Sequence, residues 1–249
     1  MTLPPSGQTT VAGIIGQPVR HSLSPAIHNA AYAALGLDWV YVAFPVAPGR
    51  VRDALIGLQA AGVAGCNVTM PHKTEAARAC DDLTPAAAAL DAANTVVLGE
   101  GARLGDSTDG DGFVDAARDA GVDLAARVLV LGAGGAARAI VHALGTVGSQ
   151  VTVAARRPEA AATAAALAPS ANTAAFDGLD TAAYASDVVV NATPIGMCGE
   201  APPFDAHRLH AGQVVIDTVY APPETPLLAA AAAHGARTLN GLGMLVHQA

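Results

Sequence analysis

The feature that most constrains the fold of this chain is an apolar strand that runs directly into a glycine-rich turn. Residues 127–131 (RVLVL) are typical of a buried strand. Residues 132–138 follow at once as GAGGAAR, which fits the pattern G-x-G-x-x-A between a strand and a helix. The glycines allow a tight turn and a close approach of a pyrophosphate to the start of the helix. This context predicts a dinucleotide-binding unit.

The residues after the next predicted strand indicate which dinucleotide binds. The strand at 150–154 is followed by Ala155, Arg156 and Arg157, and the first acid is Glu159. An NAD site normally places Asp or Glu about twenty residues after the glycine pattern, on the ribose hydroxyls. Two arginines match a 2′-phosphate instead, so the predicted cofactor is NADP. The alternative is an exposed arginine pair that binds nothing.

Strands and helices alternate along most of the chain. Other runs predicted to be strands include residues 11–16, 39–44, 65–68, 103–106 and 214–217. A further strand begins at residue 188 and runs into a polar loop within 188–197. Helical spacing or alanine-rich sequence follows several of them, as at 24–35 and 50–61. This alternation predicts an α/β fold with a mostly parallel sheet.

Lys73 is the only lysine in a chain that has 13 Lys and Arg residues in total. Lysine can lose and regain a proton, whereas the arginine guanidinium effectively cannot. Lys73 ends the stretch Asn67-Val-Thr-Met-Pro-His-Lys73, between a predicted strand and a predicted helix, where α/β proteins usually bind ligands. We therefore expect Lys73 to act in proton transfer. The alternative is a solvated lysine, as most lysines are.

Two further polar stretches precede predicted helices. Ser22 and Ser24 lie two residues apart, and Ser24 is followed by Pro25, so Ser24 is expected to cap a helix that begins at the proline. The two hydroxyls either serve only this cap or also bind an anion such as a carboxylate. Asp109, within residues 107–112 (STDGDG), is expected at a turn into a helix and either caps that helix or has a chemical role.

Composition excludes several classes of protein. The chain is 52% hydrophobic and 14% charged, with no apolar run of membrane-spanning length and no signal peptide pattern. A net charge of −8 without a basic cluster argues against nucleic acid as a partner. The 3 cysteines lack metal spacing, and His207 and His210 are expected to be a solvated pair. We therefore expect a cytoplasmic protein with reduced thiols, no metal and no membrane contact.

Residues 21–25, 67–73, 107–112 and 132–138 together resemble, in this order, the shikimate dehydrogenase family, including its quinate-using members. The resemblance extends over residues 13–249. It implies a two-domain α/β fold: a substrate-binding catalytic domain (1–106, completed by 239–249) and an NADP-binding Rossmann domain (107–238). It also implies the reversible reduction of 3-dehydroshikimate to shikimate by NADPH, with a small-molecule substrate as partner and a monomer or homodimer as the assembly.

The resemblance implies a role for each matched residue. The catalytic acid–base pair is Lys73 and Asp109. The substrate-binding residues are Ser22, Ser24, Thr69, Asn94, Tyr220 and Gln248. The cofactor-binding residues are Gly132, Ala133, Gly134, Gly135, Ala136, Arg156, Arg157, Thr193 and Gly241.

The sequence departs from the family pattern in places, and three alternatives stay open. Ser107 stands where the family usually has Asn, Asp91 where it tends to have Gly, and Ala160 where an arginine is frequent. A quinate dehydrogenase shares almost all of the motifs. A methylenetetrahydrofolate dehydrogenase has a similar plan, but its Y-x-x-x-K signature is missing because position 69 is Thr. A dinucleotide-binding regulator without turnover is the third alternative.

Overall fold

The computed structural model describes residues 5–249, which form two compact units. The first unit extends to Thr108 and also includes Ala249, and the second is Asp109–Gln248. Each unit has its own six-stranded sheet with helices, which confirms the predicted two-domain α/β fold.

The elements of the first unit are β1 Thr10–Gly16, α1 Ser24–Leu35, β2 Trp39–Pro45, α2 Val51–Ala60, β3 Gly65–Val68, α3 Lys73–Ala79, β4 Asp82–Leu83, α4 Pro85–Leu90, β5 Thr95–Val97 and β6 Leu104–Asp106. The strand order is β2-β1-β3-β5-β6-β4. β1 pairs in parallel with both β2 and β3. β5 runs antiparallel to β3 and to β6, so this sheet is mixed, and β5 begins at the edge where β3 ends.

The core of the first unit lies where α2 and α3 cover the central strands. Ile15, Val51, Leu55 and Val96 are fully buried, and Val68 is nearly so. Burying an aliphatic side chain of this size stabilises the fold by about 1.5–3 kcal/mol. This packing fixes β1 and β3 side by side, so their carboxyl ends form a rigid edge.

The elements of the second unit are α5 Asp109–Asp119, β7 Arg127–Leu131, α6 Gly135–Thr146, β8 Gln150–Ala154, α7 Pro158–Ala165, β9 Asn172–Ala174, α8 Leu179–Ala185, β10 Val188–Asn191, β11 Val214–Asp217, α9 Pro226–Ala233, β12 Arg237–Leu239 and α10 Leu242–His247. Every strand pair is parallel, in the order β12-β11-β10-β7-β8-β9. Counted from β7 this is 3-2-1-4-5-6, the order of dinucleotide-binding Rossmann folds. Successive strands are added on one side of β7 up to β9 and on the other side from β10 onwards. Such folds bind their ligand at this switch point between β7 and β10.

The C-terminal segment packs within the second unit. α10 lies against α5, and a Cβ on Gly112 would come within 2.7 Å of the backbone nitrogen of Gln248. Contacts therefore group Leu242–His247 with the second unit, whereas the sequence analysis assigned 239–249 to the substrate-binding domain. The role of residues 239–249 in substrate binding stays a prediction.

One predicted helix boundary is wrong. α1 begins at Ser24, and the residue in the N-cap position is Leu23, which makes no side-chain cap. Ser22 instead accepts a hydrogen bond from the backbone N–H of Ser24 at 3.2 Å. A serine two residues upstream therefore satisfies an N–H at the start of the helix, which leaves the buried Ser24 without the capping role that its position before a proline suggested.

Among residues 5–249, no helix is long and apolar enough to cross a membrane.

Candidate active site

The glycine-rich turn lies at the point in the second sheet where the strand order reverses. Gly132 has a φ of 115°, a conformation that favours glycine. A Cβ at this position would come within 2.8 Å of the Ala192 carbonyl oxygen and 3.0 Å of the Thr193 methyl carbon. The turns after β7 and β10 therefore touch each other, and only glycine fits between them.

The start of α6 is open to an anion. Gly134 occupies the N-cap position without a side-chain cap, and a Cβ there would meet no atom within 4 Å. The first turn of α6 contains no acid, and its residues, Gly135 and Ala136, have small side chains. Ala133 is partly buried and packs against the hydrophobic core of the second unit. Unpaired N–H groups at a helix start attract phosphate, so this turn fits a pyrophosphate.

The two predicted phosphate-binding arginines follow β8, the neighbour of β7. Arg156 and Arg157 are exposed, and within residues 5–249 neither guanidinium has a hydrogen-bond or ion-pair partner. Glu159, the nearest acid in the sequence, lies in the first turn of α7 and is also exposed. Two free guanidinium groups at the carboxyl end of this strand can bind a phosphate through charge-assisted hydrogen bonds.

Thr193, Tyr220 and Gly241 lie after β10, β11 and β12 respectively. The Thr193 hydroxyl donates to Asn191 Oδ1 at 2.6 Å. The N–H of Gly241 donates to the Val219 carbonyl at 3.1 Å. The structure therefore brings all of the predicted cofactor-binding residues, together with Tyr220, to the carboxyl edge of one parallel sheet.

Lys73 and Asn94 lie next to each other at the edge of the first sheet. Lys73 is the first residue of α3, and its carbonyl accepts a hydrogen bond from the N–H of Ala93 at 2.9 Å. The Asn94 carbonyl accepts one from the N–H of Val68 at 2.6 Å, which joins the start of β5 to the end of β3. Lys73 is partly buried, and Asn94 is 2% exposed.

Asn94 binds Thr108, the residue at which the continuous segment of the first unit ends. Its Oδ1 accepts from the N–H of Thr108 at 2.9 Å, and its Nδ2 donates to the Thr108 hydroxyl at 3.0 Å. The next residue, Asp109, is the first residue of α5 and is 4% exposed. The side chain of a predicted substrate-binding residue therefore holds the segment that leads into the predicted catalytic acid.

Thr69, Ser22 and Ser24 complete the edge of the first sheet. The N–H of Thr69 donates to the Ile15 carbonyl at 3.0 Å, and the Thr69 methyl group lies against Gly16, where a Cβ would come within 2.5 Å of it. Ser22 and Ser24 follow the same strand, β1, in the loop into α1 and at its first residue. Hydroxyl and amide groups thus follow β1 and β3 and directly precede β5 in the first unit.

Gln248 lies in the second unit, directly after α10. Its Nε2 donates to the Leu245 carbonyl at 3.5 Å. Asp109, Tyr220 and Gln248 therefore belong to one unit, and the other predicted substrate-binding residues belong to the first unit with Lys73.

Sequence analysis named Asn67 only as the start of the stretch 67–73, and it assigned no role to the polar residues that organise these edges. Asn67 accepts from the Tyr41 hydroxyl at 2.6 Å and donates to Thr95 Oγ1 at 3.0 Å, and burial raises the pKa of that tyrosine. Asn191 and Asp217 are buried at the ends of β10 and β11. A polar residue that ends an apolar strand was the available signal, because a buried polar group needs specific partners.

The described residues contain no group of three or more His, Cys, Asp or Glu side chains placed to hold a metal ion.

Family models match both units. Residues 14–96 match the model described as the shikimate dehydrogenase substrate binding domain. Residues 127–221 match the model described as NADP oxidoreductase coenzyme F420-dependent.

Known proteins are similar over nearly the whole chain. The shikimate dehydrogenase (NADP(+)) of Citrifermentans bemidjiense is 48% identical, over 98% of this chain and 88% of the relative. A crystal structure of a shikimate dehydrogenase in complex with NADP+ has a TM-score of 0.92 and 37% identity, over 98% of this chain and 88% of that chain. The quinate dehydrogenase of Corynebacterium glutamicum, solved in complex with NAD, has a TM-score of 0.89 and 32% identity, over 96% of this chain and 90% of that chain.

Proposed function

The chain belongs to the shikimate dehydrogenase family, and from this premise we propose that it reduces 3-dehydroshikimate reversibly to shikimate with NADPH, a step in aromatic amino acid biosynthesis. The observation that supports the proposal best is the position of Lys73. The only lysine of the chain begins a helix beside Asn94 and close in sequence to Thr69, at an edge where hydroxyl and amide groups gather.

The cofactor, when bound, supplies the hydride for the reduction. Reduction of a ketone develops negative charge on its oxygen, and a proton donor must neutralise that charge. The Lys73 ammonium donates a hydrogen bond and then a proton to this oxygen. Asp109 either keeps the lysine charged and oriented or shares its proton.

The substrate is a carboxylic acid with several hydroxyl groups, so its binding residues must both donate and accept hydrogen bonds. Ser and Thr hydroxyls and Asn and Gln amides do both. The proposed substrate-binding residues are Ser22, Ser24, Thr69, Asn94, Tyr220 and Gln248. The loop of Ser22 and Ser24, beside the start of the 12-residue helix α1, suits the carboxylate.

The proposed cofactor-binding residues are Gly132, Ala133, Gly134, Gly135, Ala136, Arg156, Arg157, Thr193 and Gly241. The open start of α6 receives the pyrophosphate, and the two arginines after β8 receive the 2′-phosphate. The missing acid at the end of β8 favours NADP over NAD.

The cellular setting follows from the same chemistry. The 3 free cysteines suit a reducing compartment, so we place the enzyme in the cytoplasm. Its partners are small molecules, with neither nucleic acid nor a membrane involved, and it acts as a monomer or homodimer. The proposed domains are a substrate-binding catalytic domain of residues 1–106 with 239–249 and an NADP-binding domain of residues 107–238, with Tyr220 and Gly241 as single residues that serve the other ligand.

A quinate dehydrogenase is the second candidate, because a quinate-using protein is 32% identical to this chain. Quinate has one more hydroxyl than shikimate, and that group must fit near Ser22 and Thr69. The side chains of Ser22 and Thr69 are partly buried, so the space around them decides whether shikimate or quinate fits better.

The deciding experiment measures kcat/KM for shikimate and quinate, each with NADP and with NAD. We expect the highest value for shikimate with NADP. A higher value for quinate would assign the chain to the second candidate. Cofactor binding without any shikimate-dependent change in nicotinamide absorbance would indicate a regulator.

A further inference from the structure

Asp217 is the last residue of β11 and is fully buried, with 0% exposure. Its Oδ1 accepts hydrogen bonds from Asn191 Nδ2 at 2.9 Å and from the N–H of Val219 at 3.0 Å. Its Oδ2 accepts from the Thr225 hydroxyl at 2.7 Å. Burial raises the pKa of Asp217, and the three hydrogen bonds oppose that rise.

Each of these three donors directs a hydrogen at the carboxylate of Asp217. The Thr225 hydroxyl oxygen accepts from the N–H of Leu228 at 3.3 Å as the N-cap of α9, so its own proton is directed at Asp217. The N–H of Val219 and the amide of Asn191 can only donate through these hydrogens. A carboxylate satisfies all three donors, and an amide in the same place cannot.

The first branch of the network reaches the turn after β10. Asn191 Oδ1 accepts from both the N–H and the hydroxyl of Thr193, at 3.1 and 2.6 Å. Asn191 Nδ2 also donates to the Ile195 carbonyl at 3.0 Å. The orientation of the Asn191 amide is set by Asp217, because only one end of the amide can donate.

The second branch reaches the segments after β11 and β12. Val219, held through its N–H by Asp217, accepts at its carbonyl from the N–H of Gly241 at 3.1 Å. The N–H of Thr218 donates to the Asn191 carbonyl at 2.9 Å. A Cβ on Gly241 would collide with the Thr218 backbone, so these segments are packed without a gap.

We propose that Asp217 is a positioning residue that fixes the turns after β10, β11 and β12 as one unit for binding the nicotinamide half of the cofactor. The proposal rests on the proposed function. The pyrophosphate-binding turn follows β7, and the arginines for the 2′-phosphate follow β8 on one side of it. The nicotinamide half then extends to the other side, where β10 and β11 end. Fully satisfied buried polar networks rigidify the structure around them.

Gln213 provides a matched control at the opposite end of the same strand. It precedes β11, is 1% exposed, and donates through Nε2 to the carbonyls of Ala183 and Ser186, both at 2.7 Å. Its Oε1 accepts from the N–H of His210 at 3.1 Å. Gln213 thus has the same burial and the same number of hydrogen bonds as Asp217, but it lies at the amino end of the strand.

The test compares Asp217→Asn with Gln213→Met in the full-length protein. The dissociation constant of NADPH is measured by fluorescence titration, and KM for NADP is measured with shikimate, at a temperature where circular dichroism shows both variants folded. We expect Asp217→Asn to raise both constants at least tenfold, because an amide leaves one buried donor without its acceptor and the turns that it joins must shift. We expect Gln213→Met to stay within twofold of the wild type, although both variants lose thermal stability.

A second pair of variants decides the matter should Asp217→Asn not fold. Thr225→Val removes one hydrogen bond to the carboxylate, whereas Thr225→Ser keeps it together with the helix cap. We expect the valine variant to weaken NADPH binding about threefold or more, the loss of part of one hydrogen bond, and the serine variant to match the wild type. Equal NADPH affinity in these two, or equal losses in Asp217→Asn and Gln213→Met, would overturn the proposal. A wild-type protein that binds NADPH but does not turn over shikimate would sink the proposed reaction and leave this inference standing.

Discussion

At the scale of the residue, lysine was informative because the chain otherwise uses arginine for its fixed positive charge. An ammonium that loses a proton in the reaction cannot be replaced by a guanidinium, whatever the packing around it. The sequence alone therefore predicted Lys73 as a site residue, and the structure places it at a strand-to-helix junction beside Asn94. Asp217 could not be predicted in this way, because its partner Asn191 becomes a neighbour only when β10 and β11 pair.

Replacement of Lys73 tests whether it donates the proton or only anchors the substrate. Lys73→Arg keeps the charge and removes the accessible proton transfer, so we expect kcat to fall by roughly 10²–10⁴, the usual contribution of general acid catalysis. Lys73→Met should be about as slow. Steady-state kinetics with NADPH binding as the control for folding measures this. A near-normal kcat with a raised KM in Lys73→Arg would show an anchor instead.

Replacement of Arg156 tests the cofactor preference. Arg156→Asp should weaken NADP binding by roughly ten- to a hundredfold and leave NAD unchanged, because one charge-assisted hydrogen bond contributes about 1.5–3 kcal/mol. Arg118→Asp is the control for the same change in net charge, on an exposed arginine of α5 whose ion-pair partner is Asp115. The ratio of kcat/KM with the two cofactors is the measurement, and an unchanged ratio in Arg156→Asp contradicts the assignment.

At the scale of the element, strands with branched apolar residues were predictable, as was the alanine-rich helix expected at 227–234 and found as α9, whereas two other alanine helices were not. The bounds of β3, β7, β8 and β11 agree with the sequence prediction to the residue. α4 and α7 were missed because consecutive alanines produce no apolar periodicity in the sequence. Which of their alanines are buried depends on how the helices pack in the fold. β4 and β9 have only 2 and 3 residues and lie at sheet edges. These two strands form because a neighbouring strand pairs with them, and so short a stretch of sequence carries no strand pattern of its own.

The contact between α5 and α10 depends on Gly112. A Cβ there would come within 2.7 Å of both the Cβ and the backbone nitrogen of Gln248, so Gly112→Ala must displace the end of α10. We expect a loss of about 1–3 kcal/mol in the free energy of unfolding, the usual cost of overpacking. Urea denaturation measures it.

Gly57→Ala is the matched control for that substitution. Gly57 is exposed inside α2, where a Cβ would meet no atom within 4 Å. Alanine should therefore stabilise the protein by about 0.5–1 kcal/mol, since glycine inside a helix costs that much. Similar effects of the two substitutions would mean that α10 does not pack tightly on α5.

At the scale of the whole molecule, the chain consists of two units with separate hydrophobic cores. The buried clusters of the first unit are drawn from residues before Thr108, and those of the second from residues after Asp109. All of the proposed cofactor-binding residues belong to the second unit. A ligand that binds only the folded form stabilises the part of the molecule that holds its site.

NADP should therefore protect the second unit selectively. At a concentration of about 100 times its dissociation constant, a ligand adds about 2.7 kcal/mol of stability, which slows exchange of the most protected amides by roughly a hundredfold. We expect this slowing in β7, β10 and β11, and little change in β1 and β3. Hydrogen exchange followed by mass spectrometry measures both sets in one sample. In Arg156→Asp the same NADP concentration should protect much less, because binding itself is weaker. Equal slowing of exchange in both units would show that they unfold as a single cooperative body, and that the stabilisation cannot be assigned to the unit that binds the cofactor.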